Sequence, residues 1–174
     1  MNTNKLIRIH DNLFTYVERS KFYSVFRKSL FQAVGGDNDL NLYPNQQFFS
    51  NYTLDDLGVS GFQDTEGYKK LDKEYNFSSR KIKQIRINLS TAVEKNTTHI
   101  DQAGLTLLYY PCIDWKIDWG GHTIFLNENT DDIIYVSAYK TGRVVVFDGT
   151  IPHLLIPPTS LCTINRLSFA IQFT

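Results

Sequence analysis

Gly142-Arg143-Val144-Val145-Val146-Phe147-Asp148-Gly149-Thr150-Ile151-Pro152-His153 joins a β-branched and aromatic run to a turn dipeptide and then to a histidine. Such side chains suit the pleated surface of a strand, and Asp-Gly marks a turn. The stretch reads as a strand that carries His153 to the edge of a sheet. Upstream, Thr98-His99-Ile100-Asp101 sits between two apolar-rich runs. On extended backbone, side chains two apart share a face, so this imidazole and this carboxylate project together. Downstream, Arg166 opens a last strand-like segment with Ser168 two residues on. Two histidines and one carboxylate bind non-haem Fe(II) by one face and leave positions open. A guanidinium with a hydroxyl on the same strand face suits a carboxylate.

Working outward, the apolar period is two from Ser79 onward. Ile82, Ile85 and Ile87 begin it, and runs at 104–110, 121–127, 132–139, 143–147, 153–156 and 166–173 continue it. Pro111, Gly120-Gly121, Asn127-Glu128-Asn129, Thr141-Gly142, Asp148-Gly149 and Pro157-Pro158 separate them as turns. Many short, regularly spaced strands predict a barrel or a double-sheet jelly roll. Ile133-Ile134-Tyr135-Val136 is apolar on both faces and predicts cover on both sides. N-terminal helices are the expected cover for one sheet.

Residues 1–34 read mainly as helix, from the three-and-four spacing of Phe14, Val17, Phe22, Val25, Phe26, Leu30 and Phe31. Gly35-Gly36-Asp37-Asn38 is the expected stop. Residues 39–67 read as loop punctuated by Pro44, Gly58 and Gly61, with a short strand at Gln47 to Tyr52. Gly67 to Asn76 reads as a short helix with a solvated charged face. The expected organisation is one domain over 1–174, mainly β with N-terminal helices: helical and loop support over 1–80 and a β core over 81–174.

Composition narrows the class. The chain has 174 residues, enough for one sizeable core, and zero formal net charge. The balance gives no basic field for nucleic acid or a membrane surface. The polar start is followed by no apolar run of signal-peptide or membrane-span length, which predicts a cytoplasmic protein. Cys112 and Cys162 match neither a disulfide framework nor a zinc spacing and read as reduced thiols.

Taken together, His99-x-Asp101, His153 and Arg166-x-Ser168 resemble the 2-oxoglutarate- and Fe(II)-dependent dioxygenases, with the closer match to their prolyl 4-hydroxylase-like branch. Leu107-Leu108-Tyr109-Tyr110, Trp119-Gly120-Gly121-His122-Thr123 and Gly142-Arg143-Val144-Val145-Val146-Phe147 extend the likeness, which covers Arg86 to Thr174 in order. The family more often has glutamate where His122 stands. The resemblance implies a double-stranded β-helix (jelly roll) with helices packed on one sheet. It implies Fe(II) held by His99, Asp101 and His153, with 2-oxoglutarate as cosubstrate, O2 as oxidant and ascorbate as a supporting reductant. It assigns the 2-oxoglutarate carboxylate to Arg166 and Ser168, with Tyr109 chosen over Tyr110 as the assisting tyrosine and Thr123 near the site.

The implied activity is hydroxylation of an unactivated C–H bond with release of succinate and CO2, most plausibly on a prolyl residue of a peptide or protein. The same chemistry on a free amino acid, other metabolite or sugar is the alternative, and a non-catalytic jelly-roll binding module is a third reading. A zinc hydrolase is weaker still, since no general base or thiolate set stands out. Trp115 and Trp119 are the candidate substrate rim, and 58–76 is a candidate lid. His122 reads as an exposed histidine or one set behind the site, with a metal-site role as the alternative, and His10 reads as structural.

Overall fold

The computed structural model describes residues 6–34, 47–93 and 96–174. Its elements are β1 (Ile7–His10), α1 (Tyr16–Phe26), β2 (Gln32–Val34), β3 (Gln47–Asn51), α2 (Leu54–Ser60), α3 (Glu66–Tyr75), β4 (Ile82–Ser90), β5 (Leu105–Tyr109), β6 (Thr123–Leu126), β7 (Ile133–Ser137), β8 (Val144–Asp148), β9 (His153–Leu155) and β10 (Arg166–Phe173). The strands form two antiparallel sheets. The larger has the order β1-β8-β5-β10-β4-β3-β2, and the smaller β7-β6-β9. This is the expected jelly roll with helices on one sheet.

Strand alternation divides the larger sheet into two surfaces with different tasks. On β10, Leu167, Phe169, Ile171 and Phe173 are buried in the main apolar core. Phe169 stacks on Phe26 of α1 at 4.6 Å, and Phe173 on Phe77 at 4.5 Å. The intervening Arg166, Ser168, Ala170 and Gln172 line a cavity on the opposite face. The facing residues of β4 repeat the division: Ile85 and Ile87 enter the core, while Gln84, Arg86, Asn88 and Ser90 face the cavity.

The helices start where the sequence offers side-chain caps. Thr15 and Glu18 form a reciprocal capping box at α1, and Thr53 and Asp56 do the same at α2. Thr65 caps α3, which buries Tyr68, Leu71 and Tyr75 on one face and ends at Asn76 in the left-handed region. Gly67 lets this helix approach the preceding chain, since a Cβ there would lie 2.5 Å from the Leu13 carbonyl oxygen. Among the described residues no helix is long and apolar enough to cross a membrane.

Several expectations need correction. Residues 6–34 are not mainly helix: β1 pairs with β8 in the register Ile7↔Phe147, helix is confined to α1, and β2 pairs with β3. The first eighty residues thus supply three strands of the larger sheet as well as helical cover. The short strand near Gln47 and the helix near Gly67 are present, and α2 lies inside the stretch read as loop. Residues 1–5, the Gly35 to Asn38 stop and Pro44 lie outside the described residues. The apolar run in β7 is not covered: Ile133, Ile134, Tyr135 and Val136 are 38–52% exposed. β7 is the outer strand of the smaller sheet, whereas α1, α2 and α3 pack on the outer face of the larger one.

Candidate metal centre and adjoining cavity

The Asp148-Gly149 turn brings the three proposed ligands together. Gly149 passes so close to Ala103 that a Cβ would lie 2.7 Å from its carbonyl oxygen. The Gly149 carbonyl accepts from the Asp101 amide at 2.8 Å. His99 and His153 exchange two backbone hydrogen bonds, at 3.0 and 2.9 Å, as an isolated antiparallel bridge. Backbone pairing therefore fixes all three residues before any metal is considered.

The side chains converge. One ligand atom from each of His99, Asp101 and His153 lies within 4.8 Å of the others. Asp101 Oδ1 is 4.0 Å from His99 Nε2 and 3.8 Å from His153 Nε2. His153 Nδ1 is 2.9 Å from the Ile151 carbonyl oxygen, and His99 Nδ1 is 3.2 Å from that of Thr97. A carbonyl only accepts, so each Nδ1 carries the proton and each Nε2 turns a lone pair toward Asp101. Burial lowers the His153 pKa; the Asp101 charge opposes that shift, and His99 reinforces it. Burial thereby favours the neutral imidazole, the form that binds a metal. Thr106 Oγ1 donates to Asp101 Oδ2 at 2.6 Å, leaving Oδ1 toward the histidines. Lys83 Nζ holds the carbonyls of Asp101 and Gln102 at 2.8 and 3.0 Å. Two imidazole nitrogens and one carboxylate oxygen, each oriented from behind, fit Fe(II).

The cavity beside this triad has a volume of about 420 Å³ and lies between the two sheets. Arg166 is in its wall and 1% exposed. Its Nε donates to the Gly121 carbonyl at 2.8 Å, and its guanidinium lies over the rings of Tyr110 and Tyr139 at 5.4 and 4.9 Å. Gly121 is required here. Its φ is +74°, and a Cβ would meet Trp115 at 2.9 Å and Arg166 at 3.1 Å. Tyr139 braces the start of β10, donating to the Leu167 carbonyl and accepting from the Cys112 amide. Complete burial holds its hydroxyl well above the ordinary tyrosine pKa. Ser168 is buried, faces the same way as Arg166, and lines the cavity with Thr123.

Tyr109 is not beside Arg166. It lies on the helix-facing side of β5, with its ring 5.3 Å from Phe14 and 5.4 Å from Phe62. Its hydroxyl is buried without a hydrogen-bond partner among the described residues, and burial raises its pKa. Tyr110 takes the expected place: its hydroxyl donates to Thr123 Oγ1 at 2.8 Å under the Arg166 guanidinium. The proposed rim and lid also lie elsewhere. Trp115 packs on Trp119 and Tyr139 and supports Gly121, while α2 and α3 sit behind the larger sheet. His122 accepts from the Tyr139 amide through Nδ1 at 3.3 Å, a structural contact. Thr106, Lys83 and Arg86 were not singled out from the sequence; strand parity on β4 and β5 was the available signal for Thr106 and Arg86, and nothing in the sequence marked Lys83.

No protein-family model matches the chain, and no curated protein matches it. Solved structures do. A prolyl hydroxylase from Trichoplax adhaerens, in complex with a hypoxia-inducible-factor peptide fragment, is 15% identical. The match covers 99% of this chain and 84% of that one at a TM-score of 0.69. A 2OG-Fe(II) oxygenase family oxidoreductase from Burkholderia pseudomallei is 10% identical over 97% of this chain and 84% of its own, with a TM-score of 0.70. SnoN, a non-haem α-ketoglutarate-dependent epimerase from nogalamycin biosynthesis, is 12% identical over 97% and 77%, with a TM-score of 0.68. The chain has the fold of these 2-oxoglutarate oxygenases.

Proposed function

We propose that this protein is an Fe(II)- and 2-oxoglutarate-dependent dioxygenase that hydroxylates an unactivated C–H bond. The observation that carries the reading is the convergence of His99, Asp101 and His153 within 4.8 Å, beside a cavity whose wall holds the buried Arg166. Bound Fe(II) would supply activation of O2 coupled to oxidative decarboxylation of 2-oxoglutarate to succinate and CO2, one oxygen atom entering the substrate C–H bond.

The remaining work belongs to side chains of this chain. His99, Asp101 and His153 would hold the ion, with Thr106 and the carbonyls of Ile151 and Thr97 fixing their orientation. Arg166 presents a planar donor edge to the distal carboxylate of 2-oxoglutarate, and Ser168, Thr123 and Tyr110 add hydroxyls beside it. Leu108, Phe147 and Leu155 line the cavity and limit water at the reacting carbon. The turnover balances: C–H, 2-oxoglutarate and O2 give C–OH, succinate and CO2.

For the substrate we propose a prolyl residue in a peptide or protein, supported by the fold likeness to a prolyl hydroxylase bound to a peptide. A small-molecule substrate is the second reading, supported by the fold likeness to SnoN. Iron-dependent succinate formation tests the activity. His153→Ala should abolish it, and Arg166→Ala should weaken 2-oxoglutarate binding far more than metal binding. Unchanged turnover in His153→Ala would remove the triad from the mechanism.

A further inference from the structure

Arg86 stands apart from the groups used above. It lies in the middle of β4 and faces the cavity, on the wall that Arg166 shares. β10 pairs with β4 so that Arg166 is opposite Ser90 and Ala170 is opposite Arg86. The two arginines are therefore rooted four residues apart along the sheet, about 13 Å by strand rise. The small side chain of Ala170 leaves room over the Arg86 stem.

The Arg86 guanidinium is already shaped as a receptor. It stacks on the Phe49 ring at 4.4 Å, which fixes its plane and leaves its edge for a ligand. Nε is buried and has no hydrogen-bond partner among the described residues. Burial lowers its pKa, opposed by the charge of Asp101. Gln84 and Asn88 flank it on the same face of β4, and Gln172, opposite Gln84 on β10, lines the same cavity.

Charge counting points the same way. Among the described residues lining the cavity, Arg86 and Arg166 are cationic and Asp101 is the carboxylate. Fe(II) and the 2-oxoglutarate dianion would cancel each other, so one positive charge remains. With Arg166 committed to the cosubstrate, that charge belongs to Arg86. Arg86 is half-buried with its Nε fully enclosed, and a planar anion arriving with the substrate supplies the missing counter-charge.

We propose that Arg86 is the substrate-anchoring residue, and that the substrate presents a carboxylate to it, flanked by the amides of Asn88, Gln84 and Gln172. The proposal rests on the oxygenase reading and specifies the substrate class for the same cavity. The carboxylate belongs either to a small acid or to an acidic peptide residue, and the probes below separate the two.

The test is nitrogen-15 NMR of the Arg86 Nε–H signal, identified by its loss in Arg86→Lys, on protein loaded with Zn(II) and 2-oxoglutarate. The titrants are L-proline, L-glutamate, L-prolinamide, N-acetyl-Glu-Pro-amide and inorganic phosphate. A saturable shift with free amino acids, absent with prolinamide, supports the proposal and a small-acid source. A shift confined to the glutamyl peptide supports it with a peptide source. Arg86→Met should weaken binding of the active probe by at least about tenfold, and Arg86→Lys by less. In both variants the anaerobic Fe(II)–2-oxoglutarate absorption band should form at wild-type cosubstrate concentrations.

A signal that no carboxylate moves, one that phosphate alone moves, or one that 2-oxoglutarate itself moves would each overturn the assignment. Equal shifts with L-proline and L-prolinamide would also overturn it. Loss of the absorption band in wild-type protein, with the carboxylate shift intact, would sink the oxygenase reading and leave the subsite standing.

Discussion

Thr106 would govern how Asp101 meets a metal. Its hydroxyl occupies Oδ2 at 2.6 Å, so only Oδ1 turns toward the histidines. Thr106→Val keeps the shape and removes that bond; it should lower metal affinity by about 10- to 100-fold with little change in fold. Metal titration of the two proteins checks this, and equal affinities would mean that Asp101 needs no brace. The adjacent tyrosines give a paired prediction. Tyr109→Phe removes a buried hydroxyl that has no partner among the described residues, so stability should hold or rise by up to about 1 kcal/mol, with 2-oxoglutarate affinity unchanged. Tyr110→Phe loses the bond to Thr123 and should weaken 2-oxoglutarate several-fold. Thermal melts and cosubstrate titrations separate the two outcomes. His99, Asp101, His153 and Arg166 were legible in the sequence because few chemistries use those residue types in that order. The choice between Tyr109 and Tyr110 was not, because a one-residue change of parity moves a side chain to the other face of a sheet.

At the scale of elements, the least legible piece was β1. Ile7–His10 is strand only because β8 offers its edge, a partner more than a hundred residues away that local periodicity does not reveal. Asp11, just beyond β1, ties that strand to the same region. It accepts from Arg143 Nε and Nη2 at 2.9 and 3.0 Å and from Lys140 at 2.8 Å. The Arg143 hydrogen bond, the largest cause, and the Lys140 bond hold its carboxyl at about 2 against an ordinary 3.8. A depressed folded-state pKa contributes stability that is complete above 3.8 and is lost as pH falls through about 2. Asp11→Asn should therefore cost about 1 kcal/mol at pH 7, the scale of a solvent-screened ion pair, and the cost should vanish near pH 2. Denaturant midpoints at the two pH values check it; a cost independent of pH would assign Asp11 a purely steric role. β7 failed in the other direction. An apolar strand was expected to be covered, yet Ile133 to Val136 lie at the outer edge of the smaller sheet, away from the helices.

The whole molecule uses one alternating pattern twice. The odd-numbered residues of β10 (Leu167, Phe169, Ile171, Phe173) are buried in the core that the helices cover. The even-numbered residues (Arg166, Ser168, Ala170, Gln172) line the cavity beside the triad. The period-two pattern made the jelly roll legible, and the motif order made the candidate metal centre legible. The polar wall of β4 was hidden, because Gln84, Arg86 and Asn88 gain their common task only when the smaller sheet is placed opposite them. The proposed chemistry requires 2-oxoglutarate to reach a triad-bound iron in this cavity. Under anaerobic conditions, Fe(II) followed by 2-oxoglutarate should produce a visible charge-transfer band that requires both additions and is lost in His153→Ala. A well-folded protein that gives no band, or a band that survives His153→Ala, would contradict iron binding by the triad.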